Sequence, residues 1–467
     1  FKIENSQFSH FSKSENIESE NIDIQYFSIF NLNILLNSIS LDNNLLTTKI
    51  SELQFDHEKG FCISSFNADL HLDSTKFNLV NLNLRTPNST FNTDSIRLNL
   101  DFEDDFIQLK NIETNLSSID YNLFFKNPLD TSFKLNFNTN FSGSSNSLKL
   151  NDLSLNYLNS YIKGDFQIKD FSNENLVSYF FNLKSNTILV SDLISIQKNK
   201  NFKIPPLALK QLNKINNFQI KISGNGNSKD VKSKLEFVSS IGEIVGDLHF
   251  FRNTSSDIYY HFNIDAEKIT GISLLDNKGD ESFNAHFEIE GKGLYKQDLD
   301  LKINGYLSDF IINNYKYDDV NISGEFKNKS FVGQMELLDE FIHLDFNGNI
   351  DLNKPETEFD FSMDVKDAYL GEIGLLVNHP QSIVSFKTYL NGFGNNWKEF
   401  TGFINMEDVF FTENGETYDF GNIEFDSQSN NYYHNLNLNS DFISLNISGN
   451  FKFDQLSNDL NYLYSTI

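Results

Sequence analysis

Few residues of this 467-residue chain have the types and spacing that chemistry demands. Two stretches pair glycines closely enough for a backbone to cradle phosphate: Gly224 and Gly226 in "GNGNSKD", and Gly291 and Gly293 in "GKGLYK". Such a cradle needs the complete dinucleotide or P-loop pattern at the opening of a helix, and neither stretch completes it, so both are expected to be turns. The run "DFEDDF", residues 101–106, has carboxylates enough for calcium but lacks the glycine-centred loop that would space them around an ion, and Asp104 and Asp105 read as a hairpin turn. His71, His261 and His286 each stand singly in an alternating run, the pattern of surface or half-buried structural imidazoles. No G-x-S-x-G, H-E-x-x-H or C-x-x-C occurs. Cys62 is the only cysteine, which leaves neither an internal disulfide framework nor a cysteine-based zinc site. No catalytic, cofactor-binding or metal-binding residue is therefore expected, and the chain does not read as an enzyme.

Charge narrows the partners. There are 64 acidic against 37 basic residues, a net charge of −27, and no basic run. Neutralising phosphates needs clustered Lys and Arg, so nucleic acid is excluded as the expected partner, and the acidity reads as a solvated face. The sequons, such as Asn88-Ser89-Thr90, are what chance gives in so Asn-rich a chain. No run of 18 or more apolar residues appears, and the opening "FKIENSQFSH" lacks the charged and apolar regions of a signal peptide. The expectation is a piece of a longer protein whose membrane anchor lies outside this chain.

The elements that dominate are strands with period-two alternation. Leu98, Leu100 and Phe102 alternate with Arg97, Asn99 and Asp101. Phe133, Leu135 and Phe137 share one parity, with Lys134 and Asn136 on the other. Phe283, Phe287 and Ile289 alternate with Asn284, His286 and Glu288; Phe359, Phe361 and Met363 alternate with Asp360, Ser362 and Asp364. Each is a strand with one apolar and one wet face, and these twelve apolar residues are the candidate lining of a single inner face. "TPNS", "GNGNSKD", "LNKPET" and "ENGET" are turn signals between strands. Helix is scarce: "ENLVSYFFNL" reads as strand by its place in the repeat, and "PPLALKQLNKI" as a short helix led by Pro205-Pro206.

A repeat runs through the chain. Gly164, Gly246, Gly348 and Gly449 open "GDFQI", "GDLHF", "GNIDL" and "GNFKF", at separations of 82, 102 and 101 residues. A second apolar strand follows each, from Val177, Ile258, Phe359 and Leu460, and in the first three copies a short apolar segment comes next: "SDLI", "ISLL", "IGLL". "GYLSDF" at 305 and "GFINMEDV" at 402 form a weaker pair leading to Tyr317-Asp318 and Tyr418-Asp419. The units fall near 164–245, 246–347, 348–448 and a partial 449–467, with 1–163 more divergent. Strands of this kind cannot bury their apolar faces alone, which favours one continuous array over residues 1–467 without internal linkers.

Runs such as "SISLDNNLLTTKISELQFDHEKGFCISSFNADLHLD", "FKIPPLALKQLNKINNFQIKISGNGNSKDVKSKLEF", "YKYDDVNISGEFKNKSFVGQMEL" and "LNGFGNNWKEFTGFINMEDVFF" resemble the middle of the AsmA-like, TamB-type translocation and assembly proteins of the Bacteroidetes. The resemblance covers essentially the whole chain through spread-out strand patterns. It implies a periplasmic protein anchored in the inner membrane by a segment not present here, with a BamA-type outer-membrane barrel as partner. The expected fold is all-β, an elongated, twisted antiparallel repeating groove with an apolar concave face and a few short helices. At about 12 residues per strand and turn it would hold roughly 38 strands over a length on the order of 180 Å. The expected function is conduction of phospholipid acyl chains between membranes. Two alternatives remain open: a scaffold whose sheet edge templates outer-membrane barrel proteins or autotransporters, and an adhesin-like rod at the cell surface.

Overall fold

The computed structural model describes residues 1–11, 21–22, 26–99, 106–125, 129, 133–173, 175–197, 209, 212–252, 257–270, 281–293, 299–353, 356–376, 378–394, 400–430 and 433–449. Leu100, Phe102, the turn at Asp104 and Asp105, the segment "ISLL", most of "PPLALKQLNKI" and the strand expected from Leu460 lie outside them.

The protein is all-β. Among the described residues there are 28 strands and two short helices; every strand pairing is antiparallel, and the sheet stays open rather than closing into a barrel. Most strands run 10 to 13 residues, so the strand alone takes up about the 12 residues expected for strand and turn together, and the described strands are fewer than the roughly 38 estimated. "ENLVSYFFNL" does end in strand, Ser178–Leu189. The chain divides into two compact units, Phe1–Ser240 and Ile241–Ile467.

Within each unit the strands form a meander in which each long strand pairs with the long strands before and after it in the chain. Local sequence explains the tight turns. Asn43-Asn44, Asn313-Asn314, Asn328-Lys329 and Asn414-Gly415 carry positive φ at both central positions, as two-residue type I′ hairpins require. They join Asp42 to Leu45, Ile312 to Tyr315, Lys327 to Ser330, and Glu413 to Glu416. The weaker repeat pair has a structural counterpart in the second unit. The strand Asp300–Ile312 pairs with the short Tyr315–Tyr317 and then with Val320–Lys327. Thr401–Glu413 does the same with Glu416–Asp419 and Ile423–Asn430.

Strict alternation breaks at a set of bulges. Asn81, Asn111, Asp152, Lys268, Asp309, Asp367 and Asp408 adopt φ between 48° and 55° inside strands. Asn and Asp tolerate this left-handed conformation, which inserts one extra residue and bends the strand. In the strand Phe106–Ser117, Leu109 pairs with Phe141 and Ile112 with Thr139. Thr139 and Phe141 lie two apart on one strand, so Leu109 and Ile112 share a face although they lie three apart. The bulge thus switches the parity of the apolar positions without losing the face. Its backbone is satisfied across the sheet: Asn111 N–H donates to Asn140 Oδ1 at 2.9 Å, and Asp152 N–H to Asp165 Oδ1 at 3.0 Å.

Short segments cover part of the apolar face where a strand ends. In the first unit these are the helices Ser118–Phe124 and Val190–Gln197, which follow strands running in the same direction and therefore lie along one rim of that unit. Val190–Gln197 begins at the repeat segment "SDLI" and is pinned by Asp192, whose Oδ2 accepts Ser160 Oγ at 2.7 Å and Asn159 N–H at 3.1 Å. In the second unit the turns carrying "IGLL" tuck Ile373, 1 % exposed, into a core with Tyr317, Val320, Leu337, Ile342, Val365 and Ala368. Nearby, Asp339 accepts Tyr315 Oη at 2.6 Å and the N–H groups of Asp318 and Phe341 at 2.9 Å, which satisfies a buried carboxylate at a hairpin end.

Candidate functional site

The candidate site is the apolar face itself, and it is built row by row. Residues directly opposite in antiparallel strands share a face, so following the pairing from strand to strand traces each row. One row of the second unit passes Leu248, Phe262, Ile289 and Ile303. It continues through Gly324, Gly333 and Gly348 to Phe361. Leu390, Ile404, Phe425, Leu438 and Leu445 complete it. That is thirteen long strands, about 58 Å at 4.8 Å per strand, without a polar side chain. The flanking rows, through Phe287 and Met363 on one side and Leu301 and Phe359 on the other, contain no Asp, Glu, Lys, Arg or His. The first unit has its own version: one row passes Leu41, Leu46, Leu72, Phe77, Leu98 and Ile107. It ends through Gly143, Leu148, Ile168, Tyr179, Gly226 and Val231.

The candidate residues are distributed over several of these rows. Ile289 and Phe361 share one row, and Phe287 and Met363 the next. Phe359 stands between Ile350 and Gly392. Phe283 pairs with Ile269, and its ring packs edge-on 6.4 Å from Phe310. Leu135 lies between Leu116 and Tyr157, Phe137 between Thr114 and Leu155, and the Phe133 ring sits 4.9 Å from Tyr157. Leu98 is in the row already traced. All ten described candidates are half-buried, whereas Lys134, Asn136, Glu288, Asp360 and Ser362 on the alternate parity are exposed. Burial pushes the phenols of Tyr260 and Tyr317 up, so both stay neutral at physiological pH.

Glycines are the feature that the turn reading of "GNGNSKD" and "GKGLYK" misses. Gly224, Gly226 and Gly291 are not turn residues but rungs of strands, facing Phe181, Tyr179 and Tyr260. A side chain at Gly224 would begin 2.7 Å from Phe181 Cζ, and one at Gly291 would begin 2.7 Å from Tyr260 Oη. The trio Gly324, Gly333 and Gly348 is filled likewise: the Phe331 ring lies 2.6 Å from the first two positions, and the Phe346 ring 2.9 Å from the third. These glycines are seats whose side-chain space is taken by neighbouring rings. The available signal was glycine on the apolar parity of an alternating run.

The opposite face is wet. A depression of about 730 Å³ opens on it in the second unit, lined by Asn304, Ser323, Gln334, Asn347, Ser362 and Asn405 among others. One of about 520 Å³ in the first unit follows the bulges at Asn81 and Asn111. The ion pairs of the wet face in the second unit, such as Lys302–Glu325 at 2.8 Å and Lys387–Asp408 at 3.0 Å, are exposed and contribute little to stability. His71 pairs with Thr47 and Asn78. His286 meets Asp265 at 2.7 Å, and His261, solitary in the sequence, is brought beside Glu288 and Glu290.

No family model matches the chain, and no curated protein or solved structure does either. Among the described residues, no helix is long and apolar enough to cross a membrane.

Proposed function

We propose that this chain is the groove region of an envelope-biogenesis protein that conducts phospholipid acyl chains along its apolar face. The observation that carries the reading is the charge-free row, continuous over thirteen strands of the second unit and paralleled in the first. Moving a 16-carbon acyl chain into water costs roughly 0.8 kcal/mol per methylene, about 12 kcal/mol per chain. The central row of the second unit, all Phe, Leu, Ile and Gly, offers a path without that barrier, and its side chains carry no donors or acceptors to trap a headgroup. The TamB-type resemblance supplies the setting: the periplasm, an inner-membrane anchor outside this chain and a BamA-type barrel partner.

The test compares two adjacent positions. Phe361→Asp places a carboxylate in the middle of the charge-free row, where a passing acyl chain would have to desolvate it. Desolvation of an unpaired charge costs several kcal/mol, and each 1.4 kcal/mol is tenfold in occupancy. Asp360→Lys changes the wet face only. In a complemented deletion strain, lipid delivery to the outer membrane should fall for Phe361→Asp and persist for Asp360→Lys, with barrel-protein assembly retained in both. A folded Phe361→Asp variant that delivers lipid at the wild-type rate sinks the conduit and moves strand templating ahead.

A further inference from the structure

We infer that His261, Glu288 and Glu290, joined by His249, form a transition-metal site on the wet face of the second unit, with zinc the ion that the donor set fits. The four residues come from three consecutive strands, Gly242–Arg252, Ile258–Thr270 and Ser282–Lys292. His261 is the centre: directly opposite it stand His249 on one side and Glu290 on the other, and Glu288 lies two residues from Glu290 on the same face. His261 Nδ1 is 3.2 Å from Glu290 Oε1 and Nε2 is 3.5 Å from Glu288 Oε1, and one ligand atom from each of the three residues lies within 4.8 Å of the others.

One imidazole and two carboxylates are already gathered, and the His249 imidazole, its centroid 5.1 Å from that of the Phe251 ring, would complete a tetrahedral zinc set at about 2.0–2.2 Å by rotating about its own bonds. Magnesium and calcium want oxygen alone and are disfavoured by the histidines. Lys302, the cation opposite Glu290 in the next strand, is paired at 2.8 Å with Glu325 on its far side. A bound ion would tie three strands together on the face opposite the apolar rows, so the site is independent of the transport reading.

Calorimetric titration of the purified chain with Zn²⁺, and of its Co²⁺ form by visible absorption, tests the assignment. One saturable site per chain is expected, with a tetrahedral cobalt spectrum. Affinity should drop by about tenfold or more in His261→Ala, in His249→Ala and in the near-isosteric double variant Glu288→Gln/Glu290→Gln. His286→Ala, which removes only the pair with Asp265, should bind as wild type. Absence of saturable binding, or equal loss in His286→Ala, overturns the site. So does undiminished affinity in His261→Ala or in the double glutamine variant, with circular dichroism verifying the fold of each.

Discussion

Phe361 stands directly across from Gly348, with its Cβ 2.8 Å from the point where a side chain on that glycine would begin. The Phe346 ring fills the remaining space, 5.5 Å centroid to centroid from the Phe361 ring. The apolar face is thus layered: glycines recess the backbone, and rings from neighbouring positions lie in the recess.

This layering makes glycine content a stability parameter. Gly333→Val should push the Phe331 ring off both Gly324 and Gly333, an overpacking that costs about 1–3 kcal/mol. Gly246→Ala is the contrast, since its new methyl meets nothing closer than 3.4 Å. It should be neutral or stabilising, because alanine gives up less backbone freedom than glycine in a strand. Urea midpoints of the two variants check the pair, and equal midpoints would remove the ring-seat account.

The bulge at Asn111 gives a second handle. Its φ of 49° suits Asn and Gly but forces a β-branched residue into the left-handed region, so Asn111→Val should cost about 1–2 kcal/mol while Asn111→Gly stays close to wild type. Deleting Asn111 should be far worse. The strand would lose its parity switch, and Ile112 and Leu116 would turn to the wet face. Limited proteolysis of the first unit reads this out as rapid cleavage of the deletion variant and resistance of Asn111→Gly.

His57 predicts a pH dependence. It is 4 % exposed; its Nδ1 accepts the Lys59 N–H at 3.0 Å, and burial, with Lys59 adding to it, holds its pKa below the usual histidine value. A lowered folded pKa means that the unfolded chain takes up the proton first. The stabilisation is therefore present above the unfolded value of about 6.5 and is lost as pH falls through the folded one. Unfolding of the first unit should become easier from pH 7 to 5, and His57→Asn, which keeps an acceptor for Lys59, should flatten that slope. An unchanged slope would assign the pH response to other groups.

The alternating face was legible because it is local. Phe359, Phe361 and Met363 declare their parity within five residues, and Asn414-Gly415 declares its turn within two. The repeat glycines Gly164, Gly246 and Gly348, expected to open strands, instead fall inside them, because the pairing begins several residues earlier in each copy. What escaped depends on partners distant in the chain. Gly291 reads as a turn until Tyr260, 31 positions earlier, is seen lying on it. His261 reads as solitary until the neighbouring strand brings Glu288 and Glu290 beside it. Leu109 and Ile112 look out of phase because an Asn in the left-handed conformation is indistinguishable in sequence from an Asn on the wet face.

The meander has a mechanical consequence. Because each long strand within a unit is bonded to the long strands before and after it in the chain, tension applied at the two ends of that unit loads a terminal hairpin in peeling rather than the whole ladder in shear. Pulled in this way, a unit would yield in many small steps, one or two strands at a time, and rezip from whatever remains folded. A unit peeled in this way stretches under load without a single breaking point, and its partly peeled form still presents the intact rows of the strands that remain.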